Sequence, residues 1–154
     1  EKIVFGLIKN AIENTPDGGK VEVNVQVIGE SVELVVRDYG VGIISDDQHR
    51  IFEGFWITQE TMDYSSKREF DFNAGGKGAD LLRMKIFSER YHFRIDMISS
   101  RCGWLSREKV NCPGDILKCG YCKTPADCYH SGGSMFTVVF PSVQGDLGKE
   151  RKGV

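Results

Sequence analysis

Cysteine is missing from this chain everywhere except between Cys102 and Cys128, where all five cysteines fall. Outside that stretch neither a disulfide framework nor a thiolate metal site is available. Long apolar runs are missing as well. The longest are strand-sized or amphipathic, well short of the roughly 20 residues a membrane-spanning helix requires, and no charged-then-apolar leader opens the chain. We expect a cytoplasmic domain that makes no membrane contact itself, compatible with a membrane-anchored parent. Charge of one sign is also lacking: the formal net charge is −2 and the basic residues are scattered. That excludes a broad electrostatic footprint for nucleic acid, so an anion bound here must be held locally.

What is present suits one globular core: 154 residues, 40% hydrophobic and 27% charged. Val4, Leu7, Ile8 and Ala11 recur at i, i+3, i+4, i+7, so the chain opens inside an amphipathic helix. No cap precedes that helix, and we expect the chain to be a piece of a longer protein. Asn14-Thr15-Pro16-Asp17-Gly18-Gly19 stops the helix and turns the chain. The period then changes to two. Val21, Val23, Val25 and Val27 alternate with polar residues, as do Val32, Leu34 and Val36 after Gly29-Glu30, which predicts an antiparallel hairpin with one wet face. Residues 40–78, rich in glycine, serine and charge, read as a long mobile segment. Leu81, Leu82, Ile86 and Phe87 mark a second helix over residues 79–91, and strand-like runs follow at 93–98 and 135–140. The tail, 144–154, is polar and reads as flexible. Without regular βα alternation, this order predicts an α+β fold: a two-layer α/β sandwich with a mixed or antiparallel sheet and helices on one face.

Three segments carry chemistry jointly: Asn10-Ala11-Ile12-Glu13-Asn14-Thr15 on the first helix, Asp38-Tyr39-Gly40-Val41-Gly42-Ile43 after a strand, and Gly75-Gly76-Lys77-Gly78 before the second helix. A helix amide can ligate Mg²⁺, a carboxylate at a strand end can accept from an adenine amino group, and glycines let backbone N–H groups approach phosphates at a helix N-terminus. Taken singly, Asn10 reads as a surface amide and Asp38 as a turn former.

Together they resemble the GHKL ATPases, the Bergerat-fold superfamily of histidine kinases, gyrase, Hsp90 chaperones and MutL. The order is most similar to the catalytic domain of two-component sensor histidine kinases. Leu7 to Ile12 resembles the N box, Asp38 to Ile43 the G1 box, Ile51-Phe52-Glu53-Gly54-Phe55 the F box, Gly76-Lys77-Gly78 the G2 box, and Gly133-Ser134-Met135-Phe136 the last strand motif. The resemblance implies that Asn10 ligates the Mg²⁺ on ATP, that Asp38 bonds the adenine amino group, and that Gly40, Gly42 and Ile43 pass beneath the base. It further implies that Asn14, Gly76, Lys77 and Gly78 face the nucleotide, that Phe52 and Phe55 anchor a lid over it, and that Ser134 supports the adenine pocket. The implied activity is transfer of the ATP γ-phosphoryl group to a histidine on a separate dimerisation domain, with a response regulator downstream. The ATP-binding unit would span residues 1–143.

Departures from the pattern are specific. Glu13 stands where kinases carry a basic residue, and Asp80 puts a carboxylate in the first turn of the helix expected to receive phosphate. Gly6 replaces the water-activating glutamate of the hydrolytic members. None of His49, His92 and His130 lies in a phosphoacceptor context, so the acceptor is expected outside this chain. The alternatives are a degenerate, non-catalytic GHKL module acting in a metal- or redox-linked interaction, and a serine kinase of the anti-sigma-factor type.

The cysteines lie in an insert over residues 101–131. Cys119 and Cys122 have C-x₂-C spacing, and His130 follows Cys128 by two. Few large apolar residues accompany them, so a metal would supply stability. We expect Zn²⁺ on Cys112, Cys119, Cys122 and Cys128, with Cys102 or His130 as substitute ligands. Free thiols, a disulfide and an iron–sulfur cluster are the competing readings.

Overall fold

A computed structural model of the chain describes residues 1–53, 79–108 and 111–141. The first helix, α1 (Lys2–Glu13), buries Gly6, Leu7, Lys9 and Ala11. Val4 and Ile8, expected on the same face, are only partly buried at its margin. The helix stops where Thr15 Oγ1 donates to the Ala11 carbonyl at 2.6 Å and Pro16 can no longer supply an N–H.

The hairpin pairs β1 (Val21–Ile28) with β2 (Ser31–Asp38). Its two-residue turn begins at Gly29 with φ 60°, the left-handed geometry that a II′ connection requires of its first residue. After α2 (Ser45–Gln48) and α3 (Ala79–Tyr91), β3 (Arg94–Ser100) and β4 (Gly133–Pro141) complete a four-stranded sheet in the order β1-β2-β4-β3. All three pairings are antiparallel. Leu34, Val36, Phe136 and Val138 project from one face of this sheet and are almost fully buried. Leu7 and Ala11 of α1, Met84 of α3, Phe93 and Ile51 close the core over them. This is the two-layer α+β arrangement expected from the order of elements.

Three local expectations need correction. The hairpin has one wet face only along β2, which buries Leu34 and Val36, whereas β1 lies at the sheet edge and is exposed on both faces beyond Val21. Val21 reaches the core, whereas Val23, Val25 and Val27 are exposed. In α3 the buried apolar residue is Met84, with Leu81 and Phe87 packed beside it, whereas Ile86 is exposed. Two residues beyond Met84 is a turn of about 200°, which carries Ile86 to the opposite side. Finally, residues 40–53 pack as ordered chain rather than opening a mobile segment: Val41 and Ile51 are buried. The Ile43 N–H donates to Ser99 Oγ at 2.8 Å, and Gln48 Nε2 donates to the carbonyls of Ile43 (3.0 Å) and Ser99 (2.9 Å). The end of β3 thus supplies the partners that a non-repetitive backbone needs. Residues 54–78, with Phe55, Gly76, Lys77 and Gly78, lie outside the described residues, as does the tail.

Between β3 and β4 the chain makes α4 (Gly103–Glu108), a 3₁₀ turn (Ile116–Lys118) and α5 (Pro125–Tyr129). Thr124 and Asp127 form a capping box at the start of α5, with Pro125 in its first turn. Val41 and Leu105 form a small second core here, packed by Cys102 and Cys112.

Candidate functional site

The strand order brings three chain segments to one end of the sheet. β2 ends at Asp38, β4 begins beside it with Asp38 opposite Ser134, and β3 ends next to β4 with Ser99 opposite Ser134. Asp38 is only 2% exposed. Its Oδ1 accepts from the backbone N–H groups of Gly40 (3.0 Å) and Ser134 (3.2 Å). Burial pushes the Asp38 carboxyl up to about 6, against the pull of those N–H donors and the Ser134 hydroxyl. Such a carboxylate is held in place by the backbone yet remains short of a charge-neutralising partner. A ligand N–H₂ donor suits it.

The turn after Asp38 packs directly on the end of α1. The Val41 N–H donates to the Asn14 carbonyl at 3.3 Å, and a Cβ at Gly40 would fall on that same carbonyl, well inside van der Waals contact. Gly42, at φ 63°, lies against the Ser100 carbonyl just as closely. Only glycine fits at both positions. One turn back on α1, Asn14 Nδ2 donates to the Asn10 carbonyl (2.8 Å) and lies 3.3 Å from Asn10 Oδ1. The Asn10 amide oxygen is therefore oriented from one side and keeps a second lone pair, a hard donor of the kind Mg²⁺ takes. Asn10, Asn14, Asp38, Gly40, Gly42, Ile43 and Ser134 thus lie on one connected backbone framework. Phe52 packs against the main core.

Sequence reasoning missed three participants. Ser99 Oγ lies 3.0 Å from Ser134 Oγ and contacts the Gly133 carbonyl, linking β3 to the strand-end cluster. Its signal was a polar residue on the alternating register of Ile95 and Met97, the face that meets the core. Gln48 carries no local signal for its tie to β3, since one of its two acceptors, Ser99, is remote in sequence. The third is Lys9, whose side chain is 7% exposed and whose Nζ lies 3.0 Å from Asp80 Oδ2. Arg83 adds a second, exposed contact to Asp80 at 3.4 Å. The Asp80 charge is thereby paired across the two helices. A cavity of about 230 Å³ opens beside this pair, between α1 and α3. Glu13 is half-buried.

A family model described as histidine kinase-, DNA gyrase B- and HSP90-like ATPase matches residues 1–144. The chain belongs to that family. Among curated relatives, the sensor-like histidine kinase SenX3 of Mycolicibacterium smegmatis is 40% identical over 96 residues, which is 62% of this chain and 23% of the relative. The sensor histidine kinase RppB of Synechocystis is 30% identical over 99 residues, 64% of this chain and 20% of that one. The chain therefore spans less than a quarter of the length of these two kinases. Among solved structures, the mycobacterial sensor histidine kinase MprB superposes with a TM-score of 0.57 at 20% identity, covering 91% of this chain and 70% of that one. Full-length ShkA, solved with AMPPNP, gives 0.55 at 18% identity, covering 91% and 20%. The fold is that of histidine-kinase catalytic domains.

The five cysteines also converge. All line one cavity of about 200 Å³ beside Pro16, Trp104 and Tyr121. Burial, and next the neighbouring Cys119 thiol, push the Cys122 thiol well above its usual range. Against the upward push of burial, the backbone N–H groups of Tyr121 and Cys122 hold the Cys119 thiol below its ordinary value. Burial, and next the neighbouring Cys112, push the Cys128 thiol up to about 11. His130 is not on the cavity wall; its Nδ1 lies 2.7 Å from the Ala126 carbonyl. Among the described residues, no group of three or more His, Cys, Asp or Glu side chains is placed to hold a metal ion, so the Zn²⁺ site expected on Cys112, Cys119, Cys122 and Cys128 is not preformed in this structure.

Proposed function

We propose that this domain binds ATP with Mg²⁺ and donates the γ-phosphoryl group to a histidine on a separate dimerisation domain of its parent, for relay to a response regulator. The observation that carries this reading is the buried Asp38, fixed by Gly40 and Ser134 N–H groups, on the same backbone framework as the oriented Asn10 amide. Asp38 would accept from the adenine amino group, Ser134 would hold Asp38, and Gly40, Gly42 and Ile43 would pass below the base. Asn10 would hold Mg²⁺ on the phosphates, with Asn14 setting the amide's orientation. Mg²⁺ neutralises phosphate charge, and phosphoryl transfer needs little from a protein beyond that and positioning. Phe52 and Phe55 as lid anchors, and Gly76, Lys77 and Gly78 as phosphate contacts, complete the proposal.

Position 6 argues against a self-sufficient hydrolase. Gly6 offers no carboxylate to activate water, and the neighbour a Cβ there would meet is the flexible end of Met84 at 2.5 Å, so it is the missing group and not packing that weighs against hydrolysis. The degenerate reading loses part of its motive, because Asp80 is neutralised by Lys9.

The test is phosphotransfer. Mixed with the helical domain of its parent and γ-labelled ATP, the chain should place acid-labile, base-stable phosphate on histidine, and Asn10→Ala should abolish it. Label on serine would favour the anti-sigma-type kinase. No transfer in a sample that binds ADP would favour the non-catalytic module.

A further inference from the structure

We infer that the cysteine cavity is a zinc site built on Cys112, Cys119, Cys122 and Cys128, and that its occupancy sets the geometry of the adjoining nucleotide pocket. Its second half rests on the nucleotide reading above. Two observations carry the metal. The five thiols of the whole chain line a single cavity. Cys119 and Cys122 on that wall stand at C-x₂-C spacing, which presents two thiolates to one tetrahedral ion. Four sulfur donors select a soft or borderline tetrahedral ion, and Zn²⁺ has no redox requirement. Binding releases a proton from each thiol and forms four Zn–S bonds, without any oxidant or reductant. The thiols share a cavity without forming a finished cage, so the ion has to draw the insert together.

Several described residues of the insert bond directly to the segments that frame the nucleotide pocket. The Cys102 N–H donates to the Val41 carbonyl at 2.8 Å, and Arg101 Nη1 donates to the Gly42 carbonyl at 3.1 Å. Asp17, just past α1, is clamped in a parallel bridge with Asp115: its N–H donates to Gly114 (2.8 Å) and its carbonyl accepts from Ile116 (3.1 Å). Tyr129, next to Cys128, packs at a tilt against the Tyr39 ring and donates to the Gly18 carbonyl at 3.2 Å. The insert therefore grips both segments that frame Asp38 and Asn10. Tightening it around an ion changes the backbone under the adenine.

The experiment uses the whole chain purified without chelator. Elemental analysis should find one zinc per chain. Exchange with Co²⁺ should give the visible bands of a tetrahedral thiolate site together with sulfur-to-cobalt charge transfer. Cys102→Ser should keep the metal, whereas Cys122→Ser should lose it while retaining a helix and sheet spectrum. Stripping zinc from the folded wild-type chain should weaken ADP binding about tenfold, reversed by adding zinc back. Absence of zinc with no cobalt bands, or iron with acid-labile sulfide in its place, overturns the metal site. Unchanged ADP affinity after stripping overturns the coupling alone. Zinc present in a chain that never binds ADP leaves the metal site standing and removes the nucleotide reading.

Discussion

Asp38 is the residue on which the account turns, and its chemistry makes a pH prediction. Its carboxyl titrates near 6 in the folded domain, above the ordinary 3.8. A raised carboxyl pKa means that the folded state holds the proton more tightly than the unfolded chain does. The contribution to stability is thus fully present below about pH 4 and is lost as pH rises through 6. Nucleotide affinity runs the other way, because the carboxylate accepts from an amino group more strongly than the protonated acid does. Adenosine, which lacks titrating phosphates, should bind about tenfold more weakly at pH 5 than at pH 7, with the slope absent in Asp38→Asn. Calorimetric titration across that range checks it, and a flat wild-type profile would separate Asp38 from the base. Gly40 makes a second prediction. Gly40→Ala places a methyl on the Asn14 carbonyl, so the turn must leave α1. We expect a loss of about 2 kcal/mol in denaturant unfolding, together with weaker ADP binding. Asp38, Asn10, Gly40 and Gly42 could be picked out as candidates from the sequence because each sits in a short local motif. Ser99 and Gln48 could not, since their roles arise only when β3 and the turn after β2 meet.

At the scale of elements, the helix-to-helix pair of Lys9 and Asp80 is the feature most open to test. Lys9 is buried and its partner is about one-third exposed. Asp80→Ala leaves that ammonium unpaired in the core, and we expect a loss of about 3 kcal/mol, read by urea unfolding. The double variant Lys9→Met with Asp80→Ala should recover most of it. If the single variant is as stable as wild type, the pair is ornamental. The same two residues show where reading elements from periodicity succeeds and fails. The limits of α1, α3 and the hairpin follow from caps, glycines and period. Which apolar residue of α3 enters the core does not, because Leu81, Met84, Ile86 and Phe87 satisfy more than one face until the helix is docked. Likewise the alternation of β1 signals a strand but is silent on its place at the uncovered edge, where Val25 and Val27 stay exposed.

For the whole molecule, no helix among the described residues is long and apolar enough to cross a membrane, and the chain belongs to an ATPase family along most of its length. The antiparallel sheet puts every strand end that matters at one pole, and the insert between β3 and β4 closes around that same pole. Motif order made the superfamily legible, since five short boxes in sequence leave few folds to choose among. The insert was legible only as a cluster of thiols. Its attachment to Asp17 and Val41 depends on backbone hydrogen bonds, and its hold on Gly42 and Tyr39 on the Arg101 side chain and the Tyr129 ring, pairings that no residue type announces.

Binding of Mg²⁺ and ADP by the isolated chain, measured by isothermal titration against the Asp38→Ala variant, tests the central claim most directly. The account predicts magnesium-dependent binding by the wild-type chain and its loss in a folded Asp38→Ala. Equal binding by both proteins, or none by a folded wild-type chain, would contradict it.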